Sequence, residues 1–95
     1  MSDDPAEARR EVTIVNKRGL HARASAKFVT AVATMEGCEV RVAKDGHTAT
    51  GGSILGLMML GAARGDEIEL IVAGDDRDTV LADLCALVDG GFGED

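Results

Sequence analysis

The sequence has no tryptophan and no tyrosine, and its only aromatic residues are Phe28 and Phe92. Surfaces that hold single-stranded nucleic acid stack bases on aromatic rings, so this composition argues against such a binder. Non-specific binding to a phosphate backbone is disfavoured too, because 17 Asp+Glu against 10 Lys+Arg give a formal net charge of −7. No apolar run approaches the roughly 20 residues that span a bilayer. The opening Met1-Ser2-Asp3-Asp4-Pro5 is polar and acidic, unlike a secretory signal. Cysteine is scarce: Cys38 and Cys85 stand far apart, without the spacing of a metal site, and read as reduced core thiols. No other metal-type cluster and no G-x-x-x-x-G-K-[ST] loop occurs, so neither a metal nor a cofactor is expected.

What is present fits one domain with one modest core: 95 residues, of which 45% are apolar. Charge is unevenly distributed. Residues 9–44 carry eight bases against three acids, whereas residues 45–95 carry two against eleven. A solvated run of charge explains this blandly; a local positive field for an anion or acidic partner explains it more sharply.

Residues 1–10 read as a flexible leader, and residues 11–95 as the domain. Glu11–Asn16 alternates as a strand. Ala22–Met35 reads as an amphipathic helix with Ala22, Ala26, Val29 and Ala33 on one stripe, broadened by Phe28 and Val32, ending near Gly37. Cys38–Ala43 alternates again. Asp45-Gly46 signals a tight primed hairpin turn, which needs positive φ, and His47–Thr50 is the return strand. Ile54–Ala63 reads as a short, strongly apolar helix. Glu67–Ala73 reads as a strand with Ile68, Leu70 and Val72 inward. Gly74-Asp75-Asp76 breaks the chain and offers an N-cap to a helix over Thr79–Val88, and Gly90-Gly91-Phe92-Gly93 reads as a frayed tail. The order is β-α-β-β-α-β-α. Its first six elements are a split β-α-β pattern, with an antiparallel sheet covered by helices on one face.

The chemistry concentrates at Gly19-Leu20-His21-Ala22-Arg23. His21 stands where a loop enters the first helix, and a helix N-terminus is a ready anion site. Gly19 lets the backbone turn, Arg23 offers a planar fork of donors, and neutral imidazole is a nucleophile. Together these residues suit a phosphohistidine. Against that, a lone histidine at a helix start is more often a cap or a surface residue. His47, after the hairpin turn, reads as a solvated strand residue without a role.

Two stretches carry a resemblance. Residues 12–29, VTIVNKRGLHARASAKFV, are similar to the active-site signature of HPr, the histidine-containing phosphocarrier family of the bacterial phosphotransferase system. Residues 51–70, GGSILGLMMLGAARGDEIEL, resemble that family's second signature, in register. The similarity extends from Glu11 to Val88. It implies an α+β open-faced β-sandwich, a four-stranded antiparallel sheet with three helices on one face. It implies that His21 is phosphorylated on Nδ1 and that Arg23 helps hold the phosphoryl group. It matches Ser53 to the serine that a separate HPr kinase/phosphorylase modifies in some bacteria, and Ile54, Leu55 and Met58 to an apolar patch that docks on partners. Those partners are Enzyme I as donor and Enzyme IIA domains as acceptors. The expected protein is a cytoplasmic monomer without nucleic-acid binding or membrane insertion, and without independent small-molecule turnover.

Two positions depart from or complicate this pattern. Ala24 stands where the family usually has proline, which exchanges some rigidity for a retained N–H and good helix propensity. Ser25 is less usual there and reads as a solvent-facing helix serine, with a second reading as an extra hydroxyl near the site. Ser53 is nearly explained as the N-cap of the second helix. A phosphate there would place about two negative charges beside the docking patch. Two rival readings are a regulatory, nitrogen-related HPr-like protein whose phosphorylation state rather than flux is the output, and an unrelated α/β domain that binds a ligand or RNA. The few aromatics and the acidic total count against RNA, and the His21–Arg23 placement counts against the ligand version.

Overall fold

A computed structural model describes residues 7–94. The strands are β1 (Glu7–Thr13), β2 (Cys38–Lys44), β3 (His47–Thr50) and β4 (Glu67–Gly74), and the helices are α1 (Ala22–Ala33), α2 (Ile54–Met59) and α3 (Arg77–Asp89). The strands form one antiparallel sheet in the order β1-β4-β2-β3. Sequence alternation delivers the inner face: Val12 pairs with Ile68, Val40 with Val72, and Val42 with both Leu70 and Ala49, all buried. Helix α3 packs over β1 and β4, and α2 packs on α1 and β3. Phe28, Leu57, Leu84 and Val88 fill the layer between helices and sheet. The chain is thus the expected α+β open-faced sandwich, and among the described residues no helix is long and apolar enough to cross a membrane.

The primed turn forms as the sequence demands, with Asp45 at φ 51° and Gly46 at φ 84°. Several boundaries and faces differ from expectation. Strand β1 begins at Glu7, so residues 7–10 of the expected leader belong to the sheet; residues 1–6 lie outside the described residues. The reason is pairing: Glu7–Arg10 align with Leu70–Ala73 of β4. Helix α1 stops at Ala33, and its deeply buried face is Ala24, Ser25 and Phe28 rather than the stripe from Ala22 to Ala33, whose end residues are exposed. Helix α2 ends at Met59, because Gly61 turns the chain at φ 68°. Helix α3 starts two residues early, at Arg77, and Asp76 occupies the cap position without a side-chain hydrogen bond.

The open face is covered by charge rather than by a second layer. Ile71 points away from the helices yet is only 4% exposed. Its register partners are Arg9 and Arg41, which form ion pairs with Glu7 at 2.8 and 2.6 Å. Arginine stems shelter apolar surface while their heads stay in water.

The largest departure follows α3. Gly90-Gly91-Phe92-Gly93 is not frayed. Gly91–Gly93 form a 3₁₀ turn, and Phe92 is 1% exposed within the core. Phe92 sits in the left-handed region at φ 58°, a cost of about 1 kcal/mol that burial of its ring outweighs.

Candidate functional site

The loop before α1 is built by Asn16 and Gly19. Asn16 is buried and donates Nδ2–H to the Gly19 carbonyl at 2.8 Å, while Gly19 N–H donates to the Asn16 carbonyl at 3.2 Å. Gly19 lies at φ 62°, and a Cβ there would collide with the Ala62 carbonyl oxygen and come within 2.8 Å of Ala63 Cα. Only glycine fits both demands. Leu20 N–H then donates to the Ala62 carbonyl at 3.0 Å, pinning the loop to the segment that follows α2.

His21 is the N-cap residue of α1, in extended backbone, but its ring makes no cap hydrogen bond. It is partly sheltered, with 23% of the side chain exposed, and Nε2 lies 2.6 Å from Glu94 Oε2. A carboxylate only accepts, so the proton between them belongs to Nε2.

Glu94 is held in turn. Its Oε1 accepts from Asn16 Nδ2 at 3.1 Å, and Lys27 Nζ donates to the Phe92 carbonyl at 2.6 Å, fastening the turn that carries it. Burial pushes the Glu94 carboxyl up, but hydrogen bonds from Asn16 and His21, with the charges of His21 and Lys27, outweigh it and hold it below the ordinary carboxylate range. Asn16 Oδ1 is buried without a hydrogen bond among the described residues, since the amide is oriented by its two donations. A shallow cavity of about 280 Å³ lies beside this carboxylate, between Asn16, Lys17 and Arg64 on one side and Asp89, Gly91 and Glu94 on the other.

Arg23 lies exposed on the first turn of α1, and Lys17 and Arg18 lie exposed in the preceding loop. None of the three has an ion pair among the described residues. Lys27, one turn further along α1, is committed to the Phe92 carbonyl. Ser25 corrects both readings of that residue. It is fully buried and donates its hydroxyl to the Leu20 carbonyl at 3.2 Å, so it faces neither solvent nor the site. Ala24 beside it is also fully buried.

Ser53 is the N-cap of α2, its hydroxyl accepting from Gly56 N–H at 2.9 Å. On α2, Leu57 turns fully inward and Leu60 packs partly against the core. Ile54, Leu55 and Met58 remain exposed, Leu55 at 67%. Met59, at 77%, extends the exposed apolar surface of α2 beyond the three expected residues, and Val15 is exposed separately, beside Asn16 and Gly91. His47 is exposed at the start of β3. Cys85 is buried, which pushes its thiol pKa up and leaves it unreactive, and Cys38 is partly buried; both are free.

Sequence reasoning missed Asn16 and Glu94. A usable signal existed: Phe92 is the one large apolar residue among three glycines and two acids after α3, and an isolated aromatic there marks a docked turn.

A sandwich open on one face, with a partly sheltered histidine at a helix start and exposed basic residues beside it, is the class of small domain to which this site belongs. The comparisons with known proteins name that class. The family described as PTS-HPr, "PTS HPr component phosphorylation site", matches residues 8–89. The chain is 46% identical over 86 residues to phosphocarrier protein HPr of Neisseria meningitidis serogroup A, covering 90% of this chain and 96% of that one. It is 41% identical over 85 residues to phosphocarrier protein NPr of Shewanella violacea, covering 90% and 92%. The crystal structure of HPr-C-His from Thermoanaerobacter tengcongensis superposes with a TM-score of 0.86 at 34% identity, covering 93% of this chain and 98% of that one. The chain belongs to the HPr family and is a phosphocarrier of the phosphotransferase system.

Proposed function

We propose that His21 accepts a phosphoryl group from phosphorylated Enzyme I and passes it to an Enzyme IIA domain. The observation that carries this reading is the placement of His21, at the N-cap of α1 with its ring not engaged in capping. The helix supplies partial positive charge to an attached phosphoryl group, and Arg23 supplies a fork of donors. Phosphoryl transfer passes through a loose transition state, so positioning and charge stabilisation dominate, and the partners' sites complete the machinery. Lys17, Arg18 and Arg23 steer acidic partners toward His21. Ile54, Leu55 and Met58, with Met59 alongside, form the docking patch; methionine-rich surface adapts to several partners.

Ser53 is a site for an HPr kinase/phosphorylase in this reading. Its half-buried position at the start of α2, next to the exposed Ile54, supports the role, and a phosphate there would repel an acidic partner. The protein works as a cytoplasmic monomer, modified and regenerated at each cycle. A second reading, in which the phosphorylation state itself is the output, is supported by the likeness to the NPr relative.

The relay is tested by isolating the phosphorylated protein and adding purified Enzyme IIA domains one at a time. Transfer to a sugar-type acceptor with regeneration of the unmodified protein supports transport. Exclusive transfer to a regulatory acceptor supports the second reading, and no transfer to any acceptor overturns the relay.

A further inference from the structure

We propose that Glu94 is a positioning residue for phosphoryl transfer at His21: by accepting the Nε2 proton, it selects Nδ1 as the nucleophile and balances the charge that the ring gains. The inference rests on the carrier reading above. It stands on geometry. Nε2 and Oε2 are 2.6 Å apart, the second carboxylate oxygen is anchored on Asn16, and the turn is fastened by the buried Phe92 ring and by Lys27. A carboxylate tied to one ring nitrogen fixes the tautomer, leaving a lone pair on the other.

The step balances without moving a proton. The Nδ1 lone pair forms a bond to phosphorus. The bond between phosphorus and the donor atom breaks, and its electron pair stays with the donor. The Nε2 proton remains in place, so the His21 ring becomes positively charged as the phosphoryl group arrives. Glu94 then faces a cation where it faced a neutral ring, an interaction stronger in the transition state than before it. The same logic applies when the group leaves for an acceptor, because the carboxylate keeps the ring ready to return to its neutral, Nε2-protonated form. Nothing in the sequence pattern of the loop would supply this contact; it comes from the turn after α3, 73 residues away along the chain.

The test uses the full chain labelled with ¹⁵N-histidine, in wild type, Glu94→Gln and Glu94→Ala, with Lys27 and Asn16 intact. Nitrogen NMR of the neutral ring reads the tautomer without any partner. Wild type should show a single Nε2–H form, and both variants should shift toward a mixture. Rapid-quench transfer from phosphorylated Enzyme I should slow by about tenfold at saturating donor in both variants, with little change in the half-saturating donor concentration. Circular dichroism and thermal unfolding establish that the variants are folded. An unchanged tautomer, or an unchanged transfer rate in variants that fold, overturns the proposal. If wild type takes up no phosphoryl group, the carrier reading fails and the positioning role falls with it. If wild type is phosphorylated and the variants match it, the carrier reading stands and the positioning role alone is overturned.

Discussion

Gly19 and Glu94 set the site from opposite ends of the chain. At Gly19 the backbone needs φ 62° and room for no Cβ against the Ala62 carbonyl. Gly19→Ala should therefore lower stability by about 2 kcal/mol or more, read by chemical denaturation; an unchanged midpoint would contradict the packing described. For Glu94 the sign follows from its lowered pKa. A carboxyl held below its unfolded value contributes stability above that value and loses it as pH falls through the folded pKa. The turn that carries Glu94 should undock on acidification below the ordinary carboxylate range. Amide NMR signals of Phe92 and Gly93 should report that step in wild type and lose it in Glu94→Gln. A wild-type signal flat to acid would contradict the contact. The placement of His21 and Arg23 at the start of α1 was legible in the sequence, because glycine and polar residues ahead of an apolar stripe mark a loop–helix junction. Ser25 was misread, since a serine at that spacing gives no sign that its hydroxyl turns back onto the Leu20 carbonyl.

The elements divide into those that alternation and turn chemistry specify and those that packing decides. The four strands and the Asp45-Gly46 turn follow from period-two patterning and from positive φ. The buried stripe of α1 does not follow from alanine spacing, because alanine suits either face, and the position of α2 selected Ala24, Ser25 and Phe28. The turn after α3 was illegible for a different reason. Glycines read as breakers, while the energy that orders them comes from one ring reaching the core. Phe92→Ala should lower stability by about 3 kcal/mol and release Glu94 from His21, seen by denaturation and by loss of the His21 tautomer preference. Stability within about 0.5 kcal/mol of wild type would mean that the turn is not a structural element. Helix α2 makes the opposite prediction. Leu55 is largely exposed, so Leu55→Glu should leave the unfolding midpoint nearly unchanged while slowing phosphoryl uptake from Enzyme I by about tenfold. Uptake at the wild-type rate would remove α2 from the docking surface.

Across the whole molecule, an acidic protein carries exposed Lys17, Arg18 and Arg23 at the loop and helix start beside His21, while Arg9 and Arg41 pair with Glu7 on the open face of the sheet. The net charge of −7 hides that asymmetry, and the order β-α-β-β-α-β-α places it. Docking patch, Ser53 and His21 come from segments far apart in sequence, and the Leu20–Ala62 hydrogen bond ties their loops together. In the relay proposed above, the phosphoryl group sits at an open site and the partners finish the chemistry. In the proposed relay, His21 is the one residue that carries the group. Intact mass spectrometry after incubation with active Enzyme I, Mg²⁺ and phosphoenolpyruvate tests it most directly. Wild type should gain one acid-labile phosphoryl group and His21→Ala none. A wild type that stays unmodified by its cognate Enzyme I, or a His21→Ala protein that still gains the group, would contradict it.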